Sequence, residues 1–191
     1  MASLIDAVVL AAGASRRMGR PKAMLPLGET TFLGRIVDIL RQVPVRSIRV
    51  VVPGAFERPD MPVRWVVNPE SDSEQLASLQ CALRDLPADS DALLVWAVDH
   101  PLVREDTLRA LLEAFDGRMV QPFDGRPGHP VIFSRAMYGE LLSASPAAGA
   151  RSVVRHSERR LVPVEDPGIH VNVDTPADYQ AAQEGLQRPS K

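Results

Sequence analysis

The chain has 191 residues, 45% of them hydrophobic and 24% charged, which suits one domain with a full core and is short for two. A formal net charge of -2 provides no global basic field and argues against nucleic acid as a partner. Cys81 is the only cysteine, which rules out an intramolecular disulfide or a Cys-based zinc site and fits a reducing cytoplasm.

Taken in chain order, the apolar opening over residues 1–13 has no basic leader and is interrupted by Asp6, so it reads as a buried first strand, centred on 8–10, and not as an export signal. Phe32, Leu33, Ile36, Ile39, Leu40 and Val43 form a helical stripe. Residues 48–52, 63–67 and 92–98 are strand-length runs without polar alternation, as expected for strands covered on both faces, and a helix carrying Ser78 and Cys81 falls between the last two. Leu108, Leu111, Leu112 and Phe115 mark a further helix. Residues 119–123 and 130–133 flank a turn-rich segment and predict one antiparallel pairing. Strands over 161–164 and 170–173 then lead to a helix with Thr175 as its cap, Pro176 at its first position and Asp178 completing a capping box. No apolar stretch reaches the roughly 20 residues of a membrane span. The alternation predicts a single α/β domain over 1–185, a mostly parallel mixed sheet flanked by helices, with a polar tail over 186–191.

The segment LAAGASRRMGRPK, residues 10–22, follows the first strand and carries Arg16, Arg17, Arg20 and Lys22 with no acid among them. Backbone amides around Gly13 and Gly19 can cradle phosphates while the cations neutralise them. The glycine spacing is neither that of a Walker loop nor that of a dinucleotide-binding fingerprint. Its position at the carboxyl end of a strand is where open α/β sheets bind ligands. Asp99 ends the most apolar strand, and Asp174 stands at another strand end just before the capped helix. Two such carboxylates beside a phosphate loop are the protein ligands that Mg²⁺ takes, and Asn172 is an auxiliary oxygen donor.

The string LAAGASRRMGRPKAMLPLGETTFL, residues 10–33, resembles the signature loop of the molybdenum-cofactor nucleotidyltransferase family, within it the molybdopterin cytidylyltransferase branch. Further motifs follow in the family's order: Asp99-His100-Pro101, Gly128-His129-Pro130, Gly149-Ala150-Arg151, and the closing run from Asn172 through Asp174, Thr175 and Pro176 to Asp178. The resemblance spans nearly the whole chain and implies a Rossmann-like nucleotidyltransferase fold. It also implies Mg²⁺-dependent transfer of CMP from CTP to molybdopterin, with pyrophosphate released. Leu10, Ala11, Ala12 and Gly13 would then line the nucleotide, Lys22 and Arg16 would hold its phosphates, and Asp99 would serve catalysis and the metal. Ser78 would lie near base and sugar, and His129 on the acceptor side. Arg17 and Arg20 read as exposed, His156 and His170 as structural or surface residues. The implied partners are the nucleoside triphosphate, a molybdopterin-type acceptor and, transiently, a molybdoenzyme or its chaperone, all in the cytoplasm.

Two departures stand out. Glu74 occupies a position where the family usually has glycine, and Ala147-Ala148 lack the acid that commonly precedes the Gly-Ala-Arg turn. They keep three alternatives open: guanylyl transfer, a sugar- or polyol-phosphate acceptor, and a non-catalytic nucleotide- or pterin-binding module.

Overall fold

The computed structural model describes residues 3–13, 20–70, 74–155 and 157–187. Arg16, Arg17 and His156 lie outside the described residues.

The elements run β1 (Ile5–Leu10), β2 (Pro26–Leu27), β3 (Thr30–Thr31), α1 (Phe32–Leu40), β4 (Ile48–Pro53), β5 (Arg64–Asn68), α2 (Gln75–Arg84), β6 (Ala92–Ala97) and α3 (Glu105–Glu113). They continue as β7 (Met119–Asp124), β8 (Arg126–Pro127), β9 (Val131–Ser134), α4 (Tyr138–Ser143), α5 (Ala150–Val154), β10 (Arg159–Pro163) and α6 (Pro176–Gln187). The main sheet has the order β10-β7-β9-β6-β1-β4-β5, with β8 folded back on β7. β1 lies parallel to β4 and β6, β5 parallel to β4, and β10 parallel to β7, while β9 runs antiparallel to both its neighbours.

Alternation along β1 explains the two layers. Ile5, Ala7, Val9 and Ala11 pack with Phe32, Leu33 and Ile36 of α1, Leu108 and Leu111 of α3 and Ala182 of α6. Val8, Leu10 and Ala12 face the other way, onto Leu76, Leu79 and Leu83 of α2, Leu141 of α4 and Val153 of α5. A strand with an apolar residue on each face must be sandwiched, which is why β1 shows no polar alternation. Thr31 starts α1 by accepting the Gly34 amide at 3.0 Å. The expected capping box opens α6: Thr175 N donates to Asp178 Oδ2 at 2.8 Å and Asp178 N to Thr175 Oγ1 at 3.2 Å.

Three expectations shift. The antiparallel contact of β7 with β9 exists at Val120 and Ile132, but the longer ladder of β9 is to β6, from Ala92–Ser134 to Val95–Val131. Residues 170–173 are not a strand: Pro167–His170 forms a 3-10 turn. Asp166, 2% exposed, anchors it by accepting Gly168 N at 2.9 Å, Arg104 N at 2.8 Å and Thr107 Oγ1 at 2.7 Å. Finally, α6 continues to Gln187 with Leu186 against the core, past the boundary at 185. Among the described residues no helix is long and apolar enough to cross a membrane.

Candidate active site

Three chain segments converge at the carboxyl edge of the sheet. Past β1, the Ala11 amide still bonds Val51 O at 2.9 Å, and Leu10 O accepts Val98 N at 3.1 Å, so the chain leaves between β4 and β6. Gly13 is exposed there. Among the described residues a β-carbon on it would meet nothing within 4 Å, and its φ is not left-handed. Among those residues, neither crowding nor backbone strain therefore requires glycine here.

Lys22 opens a 3-10 turn, Lys22–Met24. Its ammonium, on a side chain only 13% exposed, bonds Asp174 Oδ1. Asp99 follows β6, and its carbonyl accepts Val173 N at 2.8 Å, which brings the residue next to Asp174 onto the backbone of Asp99. The Asp99 carboxylate takes a 2.8 Å hydrogen bond from His100 Nδ1. Burial alone would push the Asp99 carboxyl up. The His100 bond, with the charges of His100, Lys22 and His129, overcomes this and holds it below the usual carboxylate range. Asp99 is therefore ionised at neutral pH, and a carboxylate only accepts, so Nδ1 of His100 carries the proton.

His129 completes this edge. Its amide bonds Ile169 O at 3.0 Å, and its ring lies 4.7 Å from that of His100, tilted by 44°. Beside it opens an apolar cavity of about 50 Å³ lined by Leu10, Leu76, Val95, Ala97 and Phe133.

Lys22, Asp99, Asp174 and His129 thus come together as four of the residues singled out in the sequence. Leu10, Ala11 and Ala12 are buried at the end of β1. Asn172 is exposed on the segment leading to Asp174. Ser78 is 5% exposed, and its Oγ accepts Asn68 Nδ2 at 3.0 Å. Its contact thus fastens α2 to the end of β5. Glu74 is exposed at the N-terminal cap of α2, a position where an acid suits the helix dipole, and makes no side-chain capping bond. Sequence reasoning missed His100 and Asn68. For His100 the only available signal was adjacency to Asp99.

A MobA-like NTP transferase domain matches residues 7–162. The chain belongs to that family. It is accordingly a nucleotidyltransferase with the single-domain α/β fold expected of one. The chain is 33% identical to a probable molybdenum cofactor guanylyltransferase of Mycobacterium ulcerans, over 91% of this chain and 90% of that protein. It is 26% identical to the molybdenum cofactor cytidylyltransferase of Escherichia coli, over 95% and 97% of the two chains. Among solved structures, Rv0371c of Mycobacterium tuberculosis superposes with a TM-score of 0.83 at 29% identity, covering 96% of this chain and all of that one. The same protein in complex with manganese superposes at 0.76 and 27% identity, with the same coverage. Members of the MobA-like family related to this chain are thus named for two different bases.

Proposed function

We propose that the protein transfers CMP from CTP to the terminal phosphate of a molybdopterin-type acceptor, releasing pyrophosphate, with a divalent cation, Mg²⁺, held by Asp99 and Asp174. The observation that carries this reading is the ammonium of Lys22, bonded to Asp174 and within electrostatic reach of Asp99. One cation of the chain's own already sits where two carboxylates converge.

The donor set fits such a metal. Asp99 and Asp174 offer hard oxygens with 26% and 44% of their side chains exposed, and Asn172 adds an amide oxygen. Among the described residues no three His, Cys, Asp or Glu side chains gather into a cage of their own. That is the arrangement Mg²⁺ favours, since it keeps waters and substrate phosphates in its shell. Bound there, the cation would supply Lewis-acid neutralisation of charge on the transferring phosphoryl group.

The remaining steps belong to the chain. An acceptor phosphate oxygen is already ionised near neutral pH, so the reaction needs no general base. The attacking oxygen forms a bond to the α-phosphorus of CTP, and the bond from that phosphorus to the bridging oxygen of pyrophosphate breaks. Lys22 leaves Asp174 for the phosphates, with Arg16 as a second contact, and the amides of Ala12 and Gly13 approach the triphosphate. His129 faces the acceptor. Catalysis consists of alignment and preorganised charge.

A second reading, guanylyl transfer, has its own support, because the Mycobacterium ulcerans relative at 33% identity carries that name. For the cytidylyl reading the argument is Ala12, 4% exposed and packed on the α2 side, whose methyl narrows the space beside a base. Incubation with labelled CTP or GTP, Mg²⁺ and molybdopterin, followed by pyrophosphate release, separates the two. Release with GTP alone would replace the cytidylyl reading, and release with neither would leave only binding.

A further inference from the structure

His100 makes a contact that the reaction as described leaves unused. Its position is fixed from several directions. Its amide donates to Ala97 O at 3.1 Å, and its carbonyl accepts Nε1 of the fully buried Trp96 at 2.9 Å. The next carbonyl, of Pro101, accepts Arg35 Nε at 2.9 Å. The ring is closed in by that of His129, and the residue as a whole is 8% exposed. This fixed ring places its Nδ1 2.8 Å from Asp99 Oδ1.

We propose that His100 is a positioning residue for nucleotidyl transfer: by holding one oxygen of Asp99 it fixes the carboxylate rotamer and leaves only the other oxygen for the divalent cation. The inference rests on the metal-site reading above. Its physical basis is the demand of Mg²⁺ for near-octahedral geometry, which a carboxylate meets through a single well-aimed oxygen. An Asp99 free to rotate would offer either oxygen or both. Removal of a hydrogen bond of this kind behind a metal ligand typically lowers metal affinity or activity by about 10- to 100-fold. The ring also makes His129 its neighbour, so the same side chain spaces the acceptor side from the metal side.

Three substitutions separate positioning from packing. His100→Asn carries its amide nitrogen at the same branch point as Nδ1 and can remake the bond to Asp99. His100→Gln moves the amide one bond further out. His100→Phe preserves a ring against His129 without a donor. Mn²⁺ binding in the presence of a non-hydrolysable CTP analogue, read from the free-ion electron spin resonance signal, is measured beside kcat and KM. His100→Asn should stay within about threefold of wild type in Mn²⁺ affinity and kcat. His100→Gln and His100→Phe should each lose about 10-fold or more in both, with the KM for nucleotide changed far less. If His100→Phe fails to fold, the contrast between Asn and Gln decides. Equal behaviour of Asn and Gln, or unchanged Mn²⁺ affinity in a folded His100→Phe, overturns the proposal. Asp99→Asn serves as the control. If it retains wild-type Mn²⁺ affinity, the metal-site reading itself fails. If it loses Mn²⁺ while His100→Phe keeps it, only the positioning role falls.

Discussion

Lys22 illustrates how far a single side chain can be read from sequence. Its place in a basic loop that follows a strand makes it a candidate phosphate contact, and that much is local information. Its bond to Asp174 is not local, since 152 positions separate the two. The pairing has a consequence for binding, because the ammonium must exchange a carboxylate for phosphate, and the net gain is what a charge-assisted contact leaves after that exchange. Lys22→Ala should weaken CTP by about 1.5–3 kcal/mol, or roughly one to two decades in Kd, and cytidine hardly at all. Calorimetric titration with both ligands checks this, and equal weakening of the two would make Lys22 a structural residue. The position of Asp99 was legible as a charged residue following an apolar strand, whereas Asp174 follows a turn and not the strand expected for 170–173. Ser78 was not legible, because whether a helical serine faces solvent or the neighbouring Asn68 depends on how α2 lies against β5. His100 was hidden as well: the sequence shows two adjacent residues but not the rotamers that join them.

At the scale of elements, legibility follows the range of the interactions that decide each one. The start of α6 is set by Thr175, Pro176 and Asp178 within four residues, so it could be read directly. The segment before it was misread as a strand because its anchor, Asp166, acts through Arg104 and Thr107 at the start of α3. The same turn explains the glycine of the Gly128-His129-Pro130 motif. A β-carbon at 128 would lie 2.8 Å from both Cγ1 and the carbonyl oxygen of Ile169, closer than packed atoms tolerate. Only glycine lets the chain pass the turn and deliver His129 beside His100. Gly128→Ala should therefore destabilise the fold by about 1–3 kcal/mol, the usual range for overpacking, and lower kcat by displacing His129. Urea unfolding together with steady-state kinetics measures both. An Ala variant of wild-type stability would mean that the turn relaxes freely and that the motif owes its glycine to something else.

The whole molecule divides its labour between the two edges of one sheet. The sheet itself was legible because its strands are continuous apolar runs, whereas the insertion of β9 between β6 and β7 was not, since nothing local states which strand a reversed segment will join. At the amino edge Asp6 is fully buried and bonded by Arg46 and Ser47, with Arg49, 4% exposed, close by. Burial alone would raise the Asp6 carboxyl, yet the bonds from Arg46, Ser47 and Ser90 hold it below its ordinary value. The folded state therefore binds this proton less tightly than the unfolded chain. Its stabilising effect is complete above the unfolded pKa of about 3.9 and is lost as pH falls through that value toward the folded one. Asp6→Asn should cost about 1–3 kcal/mol at neutral pH, because a neutral amide replaces the buried carboxylate that Arg46 and Ser47 bond while Arg46 keeps Asp89 and Arg49 keeps Asp85. It should also flatten the acid limb of stability between about pH 5 and 2. Denaturant titrations across that range test the sign, and an unchanged slope would assign acid lability to other carboxylates.

At the carboxyl edge, by contrast, the proposed nucleotide would add stability on binding. A nucleotide at 100 times its dissociation constant adds about 2.7 kcal/mol to folding, so melting curves with Mg²⁺ and matched CTP, GTP, ATP and UTP rank affinities without any acceptor present. CTP should give the largest shift. The margin should be modest, since under the proposed reading the methyl of Ala12 would supply only about 1–3 kcal/mol of discrimination in a pocket of this kind. Ala12→Gly should move GTP toward CTP in the ranking. It should do so without restoring activity to an Asp99 variant, because Ala12 follows β1 and Asp99 follows β6. A wild-type shift clearly larger with GTP than with CTP would favour the guanylyl reading, while leaving membership of the nucleotidyltransferase family untouched.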